Sequence, residues 1–335
     1  MGIDADTVEA IAQAVAARLG SATSGGDPLV ADLIDEYERS AEFKGLRAWK
    51  TERARHKHLR RHLGALRVSQ LTGATLDDYR AERAKEHGAR KVRGRRVLTS
   101  PSTRNREVDR LCRVVNWGVE RGRCPANPIA KHADETEPAG RRTWIKTEDV
   151  DKLRAAALDY GRDPRIGLTL RAMISTKFDG FLRRSELCSL RWEQLDFRGG
   201  AITLDASETK AHREGTRITI LSERAAADMR AAPRYAASPW VFTNTRGGKY
   251  NPRTFLRMLQ AVAELAGVKA ADGERFVAHD LRAGGITQQL ELLTPQRDVM
   301  DMSGWTTDQT ARYHRGRGAP AVARAKARLE AARRG

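Results

Sequence analysis

Residues 43–131 carry 24 lysines and arginines against eight aspartates and glutamates, a net of +16 in 89 residues. A segment so charged repels itself, so its cations must ride outside a core and meet a counter-anion. The charge is also segregated along the chain. Residues 1–42 hold two basic and nine acidic residues, 132–142 are nearly balanced, and 143–335 carry a milder +10. A length of 335 residues, 40% of them hydrophobic, is enough for two domains with real cores. The expected partner is a polyanion, either nucleic acid or an anionic membrane surface. No run of about 18 apolar residues exists and no basic-then-apolar leader opens the chain, which disfavours the membrane. The cysteines are three, Cys112, Cys124 and Cys188, an odd number without metal-ligand spacing, which fits a reducing cytoplasm.

Local patterns place the boundaries. Val8, Ile11, Val15 and Leu19 fall at helical spacing, so a helix is expected over 4–19, followed by a Gly- and Ser-rich linker to Asp27. Its acidity suits protein packing better than phosphate binding. From Pro28 to Lys131 the pattern predicts four or five helices and no strand. One covers 45–63, with Lys50, Arg53, Lys57 and Arg60 in a stripe that can track phosphates, and Trp49, Leu59 and Leu63 beside it as a core edge. Arg90–Arg96 reads as a basic loop, Ser100–Thr103 opens a helix running to about Arg121, and 132–140 is an acidic linker. Beyond it, helices are expected from Thr147, over 166–178, from Asn251 to Gly267, and near 279–293, 296–302, 306–313 and 320–333. Short strands are expected at 201–204 and 217–221, paired as a hairpin, with a third at 240–243.

Four small groups stand in order along this second region, each weak alone: Arg183-Arg-Ser-Glu186, Thr209-Lys210, His279-Asp-Leu-Arg282, and Gly304-Trp305 ahead of Tyr313. Together they contain what phosphoryl transfer to a tyrosine needs. A tyrosine hydroxyl, with a pKa of about 10, attacks phosphorus only when placed and deprotonated beside it. Two arginines can clamp the non-bridging oxygens and stabilise the added charge of the transition state. A lysine can protonate the departing 5′ oxygen, a histidine can move the tyrosine proton, and an indole N–H can donate to the phosphate. No acidic cluster suited to Mg²⁺ accompanies these residues, so neither metal nor other cofactor is expected.

This ordered set resembles the tyrosine recombinase, or phage integrase, family, with its Cre- and Xer-like site-specific recombinases. The resemblance spans nearly the whole chain beyond the first helix. Gly180-Phe-Leu-Arg-Arg-Ser-Glu-Leu-Cys-Ser-Leu-Arg-Trp192 is similar to the family's first arginine box, Glu208-Thr-Lys210 to its hairpin lysine, and His279-Asp-Leu-Arg282-Ala-Gly-Gly to its H-x-x-R box. Trp305 stands where most members have histidine, and Pro101–Leu111 with Asn116–Gly122 looks like the helical core-binding domain. Two departures stand out: the usual Gly-Leu-Arg reads Gly-Phe-Leu-Arg, a turn one residue longer, and Trp305 to Tyr313 is one residue short.

The resemblance implies a mainly α protein. An acidic helix and linker would occupy 1–26, a helical core-binding (SAM-like) domain 27–132, a linker 133–142, and a mixed α+β catalytic domain with a small antiparallel sheet 143–335. It implies catalysis by Arg183, Lys210, His279, Arg282, Trp305 and the nucleophile Tyr313. DNA contacts are expected from Lys50, Arg53, Lys57, Arg60, Arg104 and Arg106. Partners would be duplex DNA and three further copies in a tetramer, with helix 320–334 docking on a neighbouring subunit. The acidic N-terminal helix argues against a separate arm-site DNA-binding domain. A type IB topoisomerase or a non-catalytic DNA-binding regulator are the alternatives.

Overall fold

The computed structural model describes residues 26–92, 95–138, 143–205 and 216–305. The helices expected at 4–19, 306–313 and 320–333 lie outside the described residues. The chain divides into two units, Met1–Gly140 and Arg141–Gly335.

The first unit is built on helices α1 (Val30–Arg39), α2 (Ala41–Lys44), α3 (Trp49–Leu63), α4 (Gly73–Ala84) and α5 (Pro101–Glu120). Val30, Leu33, Ile34 and Tyr37 recur at three- and four-residue steps and bury one face of α1. They meet Leu59 and Leu63 of α3, Leu76 and Tyr79 of α4, and Val108, Leu111 and Val115 of α5 in one core. Starts are marked by side chains: Thr72 Oγ1 accepts from Thr75 N–H (3.2 Å) ahead of α4, and Pro101 occupies the first turn of α5. Two expectations fail here. Trp49 does not line the core; it is 36% exposed, with Lys50 and Arg53 cations 5.5 and 5.2 Å from its ring. The basic loop is instead an antiparallel hairpin, β1 (His87–Val92) with β2 (Arg95–Leu98), in a segment where no strand was expected. Arg95, Arg96 and Leu98 are exposed and Val97 is half-buried, so no buried face stamped an alternating pattern on the sequence.

The second unit contains α6 (Thr147–Leu158), α7 (Pro164–Asp179), α8 (Arg184–Cys188), α9 (Glu223–Ala231), α10 (Pro252–Leu265), α11 (Ala278–Glu291) and α12 (Gln296–Ser303). A three-stranded antiparallel sheet runs β3 (Leu195–Asp196), β4 (Ala201–Asp205), β5 (Thr216–Ile220), with Thr203 opposite Ile218. The expected hairpin is therefore present, but its third strand precedes it. Residues 240–243 make only single bridges, Trp240 to Arg191 and Thr243 to Lys249, because Pro239 and the Asn244 turn bracket them too closely for a ladder. Helix α7 is the centre of this unit: Leu170, Ala172, Met173, Ile174 and Phe178 are all buried. Helix α11 approaches it through Gly284 and Gly285. A Cβ on Gly285 would lie 1.9 Å from the Phe178 carbonyl oxygen, and one on Gly284 2.5 Å from that of Ile145. Only glycine admits this approach.

Candidate active site

The C-terminal end of α7 leads through a tight turn into α8, and that turn carries Arg183. Phe181 adopts φ +51°, the left-handed region, whereas Gly180 has an ordinary negative φ of −91°. Counted back from Arg183, Phe181 is the position that holds glycine in the Gly-Leu-Arg pattern. The turn is therefore not one residue longer: phenylalanine stands at a glycine position and bears its strain. Both carbonyls of the turn are gripped by buried cations. Lys177 Nζ donates to Leu182 O at 2.6 Å, and Arg282 Nη1 donates to Phe181 O.

Arg183 itself is the N-cap of α8 and is held by Glu186. The Arg183 backbone N–H donates to Glu186 Oε2 (2.6 Å) and its guanidinium to Oε1 (2.9 Å). Arg217 on β5 donates to the same carboxylate at 3.0 and 3.2 Å. Burial would raise the Glu186 pKa, but Arg217 and the bonds from Arg183 outweigh it and hold the carboxyl below its usual range. This explains an inversion in β5, where Arg217 and Thr219 face inward while Ile218 is 59% exposed.

Helix α11 places His279 and Arg282 three residues apart on one face. Arg282 is 2% exposed, and besides Phe181 it donates to Ser303 O at 2.6 Å, tying α12 to the turn. Gly304 ends α12 at φ +65°, and the chain then turns Trp305 inward against Phe181, Ile286, Leu290 and Val299. His279 keeps an exposed side, yet partial burial and the cations Lys177, Arg282 and Arg183 push its pKa down to about 4. The imidazole is neutral near pH 7 and can accept a proton bond. Lys177, fully enclosed beside Arg282, has its pKa pushed down to about 7, chiefly by burial.

Of the six residues expected to catalyse, the structure thus brings Arg183, His279, Arg282 and Trp305 around one turn. Lys210 and Tyr313 lie outside the described residues. Lys177 and Arg217 were not anticipated. The signal for Lys177 was a cation next to Phe178 near the end of the mostly apolar stretch 166–178.

The expected DNA-contacting residues divide. Lys57 and Arg106 are exposed, and exposed Lys50 lies against Trp49. Arg53 pairs with Glu38 (3.1 Å), and Arg60 with Asp35 (2.6 Å) and Glu38 (3.1 Å). Arg104 is buried, bonded to Glu135 at 2.7 and 2.8 Å and to the Thr99 carbonyl, and so fastens the segment around Glu135 to α5.

Among the described residues one group could ligate a cation, Asp109, His132 and Asp134, with ligand atoms within 4.8 Å of one another; it shares no residue with the turn. A cavity of about 480 Å³ opens at the other end of α7, lined by Tyr160, Arg165, Tyr235 and Asn251 among others, and includes none of the four clustered residues.

The family model described as the phage integrase family matches residues 143–316. Tyrosine recombinase XerC of Xanthomonas campestris pv. campestris is 25% identical over 267 residues, which cover 73% of this chain and 79% of that protein. The XerC of Xylella fastidiosa is 26% identical over 249 residues, 73% of this chain and 80% of the relative. In fold, the chain is similar to a lambda integrase dimer bound to a COC′ core site (TM-score 0.64, 15% identity, 94% of this chain and 86% of that one). It is also similar to the Tn1549 transposon integrase in complex with transposon right end DNA (TM-score 0.64, 16% identity, 90% and 99%).

Proposed function

The chain belongs to the phage integrase family, and from that premise we propose how its residues carry out strand cleavage. It is a tyrosine recombinase, a site-specific DNA recombinase. Tyr313 Oη attacks the scissile phosphorus; the Oη–P bond forms as the bond to the 5′ oxygen breaks, leaving a 3′-phosphotyrosyl enzyme and a free 5′-hydroxyl. Neutral His279 takes the tyrosine proton, and Lys210 supplies the proton that the departing 5′ oxygen requires. Arg183 and Arg282 stabilise the charge on the non-bridging oxygens, and the Trp305 indole adds a donor. Attack by a 5′-hydroxyl from a second duplex reverses the step on a new partner. The phosphodiester energy is conserved throughout, so no nucleotide cofactor is consumed.

The observation that carries this reading is the convergence of Arg183, His279, Arg282 and Trp305 on a turn whose carbonyls are locked by Arg282 and Lys177. Relatives in this fold have been seen as a lambda integrase tetramer bound to a Holliday junction. The same assembly is proposed here, with residues 320–334 docking on a neighbouring subunit, in a cytoplasmic setting. Among the described residues no helix is long and apolar enough to cross a membrane.

The test is covalent trapping. The protein is incubated with nicked suicide duplexes carrying candidate sites, in EDTA without ATP. An SDS-resistant protein–DNA adduct that vanishes in Tyr313→Phe is the expected result. Binding without any adduct, on sites the protein protects, counts against the proposed chemistry.

A further inference from the structure

From Glu86 to Glu107 the chain contains no acidic residue, and Arg90, Lys91, Arg93, Arg95 and Arg96 crowd into seven positions of that gap. The hairpin that holds four of them, at positions 90, 91, 95 and 96, is not explained by folding energetics. A two-stranded ribbon is marginal on its own. Here the ladder is short, and its register shifts between His87 and Lys91. The described residues of β2 offer no buried apolar face to compensate.

The base of the hairpin is nonetheless firmly seated. Thr99 N–H and Oγ1 both donate to Glu86 O at 2.9 Å. Arg83, 2% exposed, donates to Thr99 Oγ1 (3.0 Å), to Glu86 (2.9 Å) and to both oxygens of buried Glu107 (3.0 and 3.1 Å). Tyr79 Oη donates to Glu107 at 2.8 Å, closing the network between α4 and α5. A buried lattice of this kind orients what it carries.

The contrast with the helices is what assigns the surface. Arg53, Arg60, Arg104 and Arg110 are all neutralised by carboxylates of their own unit. Arg95 and Arg96 are exposed and, among the described residues, have no acidic partner. Being successive on a strand, they project to opposite faces of the ribbon. Cations on both faces fit an element lying between the two phosphate walls of a groove, and a two-stranded ribbon matches the width of a major groove.

We propose that the hairpin His87–Leu98 is a DNA-contacting ribbon whose Arg95 and Arg96 engage phosphates of the duplex. The recombinase reading supplies the identity of the partner, so the test separates the two. Phosphate contacts are sequence-independent, so a duplex of arbitrary sequence serves as the probe. Affinity is measured over a salt series by fluorescence anisotropy for the wild type and Arg95→Ala/Arg96→Ala, alongside thermal melts. The slope of log K against log salt is expected to fall by about two and binding near 0.1 M salt to weaken by roughly tenfold or more. The melting temperature should be unchanged, since both side chains are exposed. An unchanged slope and affinity in a folded variant overturns the ribbon, while adduct formation on nicked duplexes would still uphold the recombinase. A lowered slope without any adduct from the wild type upholds the ribbon and counts against the recombinase chemistry. Failure of the wild type to bind any duplex overturns the ribbon.

Discussion

Lys177 shows how much of this site depends on a residue that need not touch DNA. Its ammonium is 2.6 Å from the Leu182 carbonyl, one residue before Arg183, and the residue is 2% exposed. Even with its pKa pushed down to about 7, the amine retains N–H groups after losing its proton, so the hydrogen bond survives in either state. Lys177→Met keeps the length and loses the donor. A buried carbonyl left unpaired costs about 1–3 kcal/mol, and the strained Phe181 turn has that much to gain by relaxing. A displacement of the order of an ångström at a catalytic group is worth up to ~10²-fold in rate. The expected outcome is a 10- to 100-fold slower single-turnover adduct formation with duplex affinity within about twofold, and substantial recovery in Lys177→Gln, which restores a donor. Adduct formation by Lys177→Met at the wild-type rate would show that the turn holds itself.

At the scale of elements, the close crossing of α11 over α7 puts His279 and Arg282 where the turn can meet them. The glycine pair after Arg282 is what permits it, and Gly285 is the stricter of the two because its neighbour is a backbone oxygen at 1.9 Å. A methyl group there cannot be accommodated by a side-chain rotation; one helix must move. Overpacking of this kind costs about 1–3 kcal/mol, which for a unit of this size lowers the melting temperature by roughly 2–12 °C. Gly285→Ala is predicted to lower the melt of the second unit accordingly and to slow adduct formation at least tenfold, because Arg282 is carried on one of the helices being separated and the Phe181 carbonyl on the turn that follows the other. Calorimetry and the nicked-duplex assay check both halves; a stable, active Gly285→Ala would contradict the crossing.

The elements also show what could be read beforehand. Helix α5 announced itself through Ser100-Pro-Ser-Thr103 at its start, and the structure begins it at Pro101. The H-x-x-R and Arg183 boxes were legible because their residues are close in sequence. Arg217 was hidden by the isoleucines beside it, which make β5 read as if Ile218 and Ile220 faced inward. The β1–β2 ribbon was hidden because its surroundings, not its pattern, hold it in place: the Arg83–Glu107 lattice that seats it links residues 24 apart. Trp49 was misplaced for a related reason, since an aromatic ring stacked by neighbouring cations has no spacing signature of its own.

At the scale of the whole molecule, two separate cores are charged very differently. One gathers residues from Val30 to Ile129, while the larger of the two clusters beyond residue 143 gathers residues from Ile145 to Leu281. The first underlies most of the segment with a net of +16, whereas residues 143–335 carry +10 over more than twice the length. Acidic residues within 1–42 and 134–137 offset most of the +16, so Met1–Gly140 carries a net of +6 against +12 for Arg141–Gly335. Net self-repulsion therefore weighs more on the second unit, whereas the first concentrates its surplus locally. Its innermost ion pairs resist screening, because Arg83 and Glu107 have side chains 3% and 1% exposed. Its surplus cations, on the exposed ribbon and on Lys57 and Arg106, do not. Raising salt from 0.05 to 0.5 M shortens the Debye length to roughly 4 Å and removes repulsion while sparing the buried pairs. Calorimetry should then resolve two transitions that both move upward with salt by a few degrees, the second unit's at least as far as the first's. Anions that bind rather than merely screen, such as a short duplex, should raise the first unit's transition further at low salt, by mass action on the folded state alone. A first-unit transition that falls with salt would mean that surface ion pairs outweigh its net charge, and the affinity of this unit for a polyanion would then need another source.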